Sequence, residues 1–229
     1  MGRLRPAAAD DATAARVLRA AGALFAERGF HGTTMRDIAE RAGANVASGH
    51  YHFGSKRDLY VAVLRATFAE VRGLLERGGV QVDAARLDRM NPAELETLLE
   101  KRLALMLGSL LGPPPSLHGT LMMREMLDPS DALPIVVTEF IQPMTDDIAA
   151  IVRRLAPGLD DERVFWCVAS IVGQALFYRL TRPATLRILA LADFTPAYEA
   201  RLATHVARFA MGGIAAVAPV ASRRGRRAK

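Results

Sequence analysis

The residues best suited to chemistry lie between positions 33 and 59, TTMRDIAERAGANVASGHYHFGSKRDL, and their types suit binding rather than bond breaking. Arg36 can reach a guanine edge or a phosphate. Ser48, His50 and Tyr51 can donate to base edges or phosphates, while Val46 and Ala47 can pack on thymine methyls. Thr33, Thr34, Tyr51, His52 and Lys56 supply hydroxyl, imidazole and ammonium donors of the kind that fix a protein on a sugar-phosphate rail. For His52 a second reading stays open, a core histidine satisfied by a carbonyl; Phe53 reads as core.

Such groups need short helices to aim them. Thr33 or Thr34 caps one, with Asp37 three residues after Thr34 in the manner of a capping box, and Gly43 supplies the positive φ that stops it. Asn45 caps the next, running to about Phe53, and ties down its free amides. Val46, Ala47 and His50 then share an outward face by helical spacing. Ser55 caps a fourth helix with Leu59, Val63 and Phe68 on its buried side, closed by Gly78-Gly79; its opening amides add a positive dipole end. Ahead of them, Asp10 or Asp11 caps a first helix whose residues Ala14, Val17, Leu18, Ala21, Leu24 and Phe25 keep a 3–4 spacing up to Gly29; residues 1–9 read as a frayed leader.

The charge distribution agrees with a phosphate-facing head. Of the formal net charge of +6, residues 1–60 carry nine basic and six acidic groups, residues 222–229 carry five basic groups and no acidic one, and the stretch between is slightly acidic. The tail SRRGRRAK reads as disordered, either a salt-sensitive aid to DNA binding or a plain solubilising tail. Half the residues are apolar with few aromatics, which predicts an all-α chain. Beyond a connector over 79–91, helices are predicted from Pro92 to before Gly112, then over about 116–127, 131–155, 160–182 and 196–217. Pro113–Pro115 forms a loop between the first two, and Pro143 kinks or splits the 131–155 helix. The lone Cys167, in an apolar stretch, excludes an internal disulfide and reads as an inert buried thiol. No apolar run approaches a membrane span, and no signal peptide is evident, so a soluble cytoplasmic protein is expected, with no membrane partner. No phosphate loop, dinucleotide glycine fingerprint, nucleophile elbow or metal-binding histidine pair appears; neither an enzyme nor a cofactor is expected.

The C-terminal body carries Met122, Met126, Met144, Phe140, Trp166, Phe177 and Tyr178, which either line an apolar pocket for a lipophilic compound or fill a helical core. His118, Gln174, Arg124 and Glu125 are polar groups in apolar company that can orient a ligand, and Arg124 with Glu125 can equally form a surface ion pair. Small residues in the last two helices (Ala169, Gly173, Ala175, Ala203, Ala207, Ala210) permit close packing into a four-helix dimer seam.

T-x-R-D-I-A-x-x-A-G, then Y-H-F, then G-S-K-x-x-L in register resembles the N-terminal signature of the TetR family of one-component transcriptional regulators, over residues 12–60. MMREMLDPSDAL and SIVGQALFYRLTRPATLRIL are similar to the CecR/YbiH-like subgroup. The resemblance implies an all-α homodimer with a helix-turn-helix DNA-binding domain over 1–57, a ligand-binding and dimerisation domain over 58–221 and the basic tail 222–229. It implies a repressor on a palindromic operator in double-stranded DNA, released by a small lipophilic inducer. It sets Arg36, Val46, Ala47, Ser48 and His50 at base-reading positions and Thr34, Tyr51 and Lys56 at phosphate positions. Two positions depart from the pattern. Gly49 stands where the family has a bulky aliphatic, at a cost of ~1 kcal/mol to a short helix and with a gap beneath it, so the third helix is expected to be loose until DNA braces it. His50 stands where tyrosine is common. The rivals are a helical scaffold that meets a protein partner and never reads DNA, and a sequence-blind DNA coater with a steep salt dependence.

Overall fold

The computed structural model describes residues 7–112 and 117–219. Among the described residues every regular element is helical. In chain order these are α1 (Ala7–Arg28), α2 (Met35–Ala42), α3 (Val46–Phe53), α4 (Lys56–Arg77), α5 (Ala84–Leu87), α6 (Pro92–Leu111), α7 (Leu117–Leu127), α8 (Leu133–Val136), a π-turn (Val137–Ile141), α9 (Gln142–Leu155), α10 (Asp161–Leu180), α11 (Arg182–Ile188) and α12 (Pro196–Val217). An N-terminal helix-turn-helix is thus followed by a larger helical domain. The loop expected at 113–115 and the basic tail lie outside the described residues.

Packing divides the chain into two compact units that cut across the division by motif. One comprises Met1–Leu74 with Gly112–Pro143, the other Leu75–Leu111 with Met144–Lys229. In the first, α1 packs on α2 and α7, and Val17, Ala21, Leu24 and Phe25 of α1, Ile38 and Ala39 of α2, Leu59, Tyr60, Val63 and Leu64 of α4, and Leu121 of α7 are all buried. The Phe25 and Tyr60 rings meet edge to face at 4.8 Å. In the second, Leu99, Leu103 and Leu107 of α6, Ile148 and Val152 of α9, Val164, Val168 and Ile171 of α10 and Leu202, Val206 and Ile214 of α12 form one core. There the buried Arg102 guanidinium donates to the Val80 carbonyl at 2.6 Å and to Asp147 at 2.7 Å, so its charge is not stranded.

Prolines explain where the elements depart from expectation. The predicted 131–155 helix is three contiguous pieces: α8, the π-turn and α9, with Pro143, which has no N–H to donate back, directly after the π-turn. The predicted 160–182 helix ends at Leu180, and Pro183 opens α11 at 79° to it. In the connector, the Asp83 side chain accepts from the Arg86 N–H and caps the short α5. The first helix begins at Ala7, ahead of the expected caps, because three alanines extend it at little cost. No single helix among the described residues is long and apolar enough to cross a membrane.

Candidate nucleic-acid interface

The turn between α2 and α3 is fixed at both ends. The Thr34 hydroxyl accepts from the Asp37 N–H at 3.1 Å while the Asp37 carboxylate accepts from the Thr34 N–H at 3.0 Å, closing the expected capping box. The Thr34 hydroxyl also donates to that carboxylate at 2.6 Å, and these bonds hold Asp37 below the ordinary carboxylate range. Gly43 takes φ +57, its N–H reaching the Ala39 and Glu40 carbonyls, and Arg16 donates to the Ala42 carbonyl at 3.2 Å. With the exit of α2 thus held, Asn45 Oδ1 accepts from the Ala47 N–H at 3.0 Å and starts α3.

On α3, Val46, Ala47, His50 and Tyr51 are exposed, Tyr51 to 78%, and Ser48 is half-buried. Thr34, Arg36 and Asn45 are exposed beside them. His52 is half-buried, its ring edge-on to Tyr51 at 5.1 Å. His50 Nδ1 lies 2.6 Å from the Gly54 carbonyl, tying the end of α3 to its last turn.

Three expectations need correction. Thr33 is fully buried, and its hydroxyl donates to the Gly29 carbonyl at 2.8 Å, so its side chain has no surface to offer a phosphate. The neighbouring Thr34 takes the cap instead, because an N-cap residue must be extended and Thr34 is (φ −113°, ψ 157°). Lys56 is half-buried, its ammonium donating to the Phe30 and Thr33 carbonyls at 3.0 and 3.1 Å and lying 4.2 Å from the Phe30 ring centre; its first role is to close the turn after α1. Beneath Gly49 there is no gap. Gly49 is buried, and a Cβ there would stand 3.0 Å from the Met35 methyl, which fills the space of the missing side chain.

A further set of residues joins this head to α7 within the first compact unit. Arg124 donates to the Ala26 and Glu27 carbonyls at the end of α1, at 2.6 and 2.5 Å. Glu125, 1% exposed, accepts from the Tyr60 hydroxyl at 2.8 Å and from the Ser130 N–H and hydroxyl, each at 3.0 Å. Desolvation, then the bond to Glu125, pushes the Tyr60 phenol well above its ordinary range. Arg124 and Glu125 are therefore neither a surface ion pair nor ligand groups here. The sequence carried one sign of this role: a carboxylate in apolar helical company needs donors, and Ser130 lies five residues on.

The nine ligand candidates do not converge. His118, Met122 and Phe140 are buried together in the first unit, Phe140 stacked on Phe68 at 4.0 Å with His118 edge-on at 5.0 Å, whereas Met126 on the same helix is exposed. In the second unit Trp166 (55% exposed) and Gln174 line a groove of about 390 Å3 between α10 and α12, with Cys167, Phe209, Gly213 and Ile214. Phe177 is exposed, edge-on to the half-buried Tyr178, which meets Phe194; Met144 is half-buried elsewhere. Composition named these residues without fixing which helical face each occupies. Cys167 is half-buried, and burial raises its thiol above the ordinary value.

This arrangement of a capped three-helix head presenting a short helix, followed in the chain by a larger helical domain, defines a helix-turn-helix DNA-binding regulator. Residues 17–63 match the model of bacterial regulatory proteins of the tetR family, and residues 95–214 that of the HTH-type transcriptional dual regulator CecR, C-terminal domain. The chain belongs to the TetR family of DNA-binding transcriptional regulators and carries a CecR-type C-terminal domain. The transcriptional dual regulator CecR of Shigella flexneri is 29% identical over 175 residues, 74% of this chain and 77% of that one. The transcriptional regulator RutR of Escherichia coli K12 is 49% identical over 49 residues, 21% of this chain and 23% of that one. Among solved structures, a TetR-like regulator from a Rhodococcus species superposes with TM-score 0.64 at 19% identity, covering 92% of this chain and all of that one. The regulator FadR of Bacillus subtilis in complex with stearoyl-CoA gives TM-score 0.60 at 16% identity, covering 87% and 98%.

Proposed function

We propose that the protein is a cytoplasmic repressor that binds a palindromic operator as a homodimer and is released by a small lipophilic inducer. The observation that carries the DNA half of this reading is the exposed face of α3, where Val46, Ala47, His50 and Tyr51 stand together on a helix held at both ends. Thr34 and Arg36 stand exposed beside them as phosphate or base contacts.

For the dimer, the support is a stripe of exposed apolar and small residues: Trp166, Ala169, Gly173 and Phe177 on α10, and Phe209, Gly212, Gly213 and Val217 on α12. A Cβ added at Gly173, Gly212 or Gly213 would meet no described atom within 4 Å. Nothing inside the described chain requires glycine there, while the close approach of a second copy's helices would. Two heads related by a two-fold axis read inverted half-sites.

For the inducer, the support is the buried group of His118, Met122, Phe140 and Phe68: His118 and Met122 lie on α7, the helix whose Arg124 and Glu125 bond to the head. A lipophilic compound that separates these rings shifts α7, and with it Arg124 and Glu125. A long acyl chain suits such a region, and the complex of the structurally similar FadR with stearoyl-CoA supplies a first compound to try.

Footprinting of purified protein over its own upstream DNA, with and without long-chain acyl-CoA and a panel of aromatic compounds, tests the reading. It predicts one protected inverted repeat that a compound abolishes. Weak, uniform protection of all DNA would replace it with a scaffold or a coating protein.

A further inference from the structure

His50 ends its side chain in a bond whose chemistry decides what the rest of the ring can do. Its Nδ1 lies 2.6 Å from the carbonyl oxygen of Gly54. A carbonyl only accepts, so Nδ1 carries the hydrogen. A neutral imidazole has one N–H; with that hydrogen on Nδ1, Nε2 is left as a lone pair. The sequence alone suggested a donor at this position. The bond to Gly54 reverses that, making His50 an exposed acceptor on the face it shares with Val46 and Ala47.

In the major groove the hydrogen-bond donors are the exocyclic amines, adenine N6 and cytosine N4; every other polar edge group there accepts. We propose that His50 sets sequence preference by accepting, through Nε2, from the exocyclic amine of an adenine or cytosine at one position in each half-site. This rests on the proposed reading of DNA by α3. Gly54 is its positioning residue. It holds φ +75°, and a Cβ there would lie 3.3 Å from Asp58 Oδ2, so the carbonyl that orients the ring is aimed by a conformation that favours glycine. A tyrosine at position 50 would instead offer a hydroxyl able to donate to the acceptors that His50 rejects.

The test begins with an operator selected from randomised duplexes by the full-length protein at pH 8, where imidazoles are ordinarily neutral. Each adenine is replaced singly by purine, which lacks N6, and each cytosine by 2-pyrimidinone, which lacks N4. At one position per half-site the wild type should lose roughly tenfold or more in affinity, the range expected for a specific base contact. His50→Phe should lose the same factor on the unmodified operator and nothing further on the modified one. Gly54→Ala should reduce discrimination at that position while retaining phosphate-dependent affinity. Indifference of the wild type to every amine deletion overturns the proposal. So does a His50→Phe effect that maps to 7-deazaguanine, which would make His50 a donor, or one that maps to a methylphosphonate. If the wild type selects no sequence at all, the reading of DNA by α3 fails, a result distinct from these.

Discussion

The Tyr60 hydroxyl donates to the Glu125 carboxylate across 2.8 Å, joining α4, which follows directly from α3, to α7 in the same compact unit. Both residues are almost fully buried, and Ser130 supplies the remaining donors. A buried carboxylate with a full set of donors is stable; one short of a donor is not. Tyr60→Phe should therefore cost about 1.5–3 kcal/mol in urea unfolding, the range for a hydrogen bond to a charged group. Glu125→Ala strands three donors at once and should cost about 3 kcal/mol or more. A Tyr60→Phe variant within 0.5 kcal/mol of wild type, the scatter of ordinary surface changes, would show that this bond does not hold the head to α7.

Gly49 offers an opposite sign. Alanine favours a helix interior over glycine by ~1 kcal/mol, and the one atom in its way is the end of a flexible side chain, the Met35 methyl at 3.0 Å. Gly49→Ala should raise stability, by about 2–4 °C in Tm at most for a chain of this size. Gly49→Leu cannot be absorbed by a shift of Met35 and should cost about 1–3 kcal/mol through overpacking. Destabilisation by alanine as large as that by leucine would mean that Met35 is locked.

These two sites mark what the sequence could and could not disclose. The head was legible nearly residue by residue, because Thr34, Asp37, Gly43, Asn45 and Ser55 act within a few residues of themselves, and local capping chemistry leaves a local signature. Met35 beneath Gly49, Lys56 on the Phe30 carbonyl and Tyr60 on Glu125 join separate elements, the last pair 65 residues apart. No spacing rule reaches that far. The apolar candidates of the body failed to converge for the same reason: a helix shows four sides, and a methionine or phenylalanine does not announce which one faces a neighbour. Met122 and Met126 sit on one helix, one buried and one exposed.

The proposed dimer makes a prediction in which stability and assembly move apart. Gly212 and Gly213 have no described neighbour for a Cβ, so alanine at both should stabilise α12 by up to ~1 kcal/mol each. If a second copy packs closely on that surface, the same double substitution should weaken association, and Gly213→Trp should abolish it. Sedimentation velocity across a concentration series reads association; thermal unfolding of the monomeric variant reads the fold. Operator affinity should fall in step with the loss of dimer, since one head alone grips one half-site. A Gly213→Trp protein that remains dimeric would move the interface elsewhere.

Acid should attack the head through its caps. Asp37 and Asp58 each accept from a backbone N–H and a hydroxyl, those of Thr34 and Ser55, and each is held below the ordinary carboxylate range mainly by the hydroxyl. A carboxyl lowered in the folded state releases its proton more readily there than in the unfolded chain. Its contribution to stability is therefore complete above the unfolded value of about 3.9 and is lost as the pH falls through the lower folded value. Glu27 and Glu139 are lowered in the same direction by Arg41 and Arg65, so some slope persists whatever happens at the caps. The informative quantity is a difference: urea midpoints at about pH 5, 4 and 3 for wild type and for Asp37→Asn/Asp58→Asn. The double variant should be weaker at pH 5 yet decline less steeply toward pH 3, the two curves converging as the wild-type carboxylates protonate. Parallel curves would mean that the two caps keep their protons at bay no better in the folded head than in the open chain.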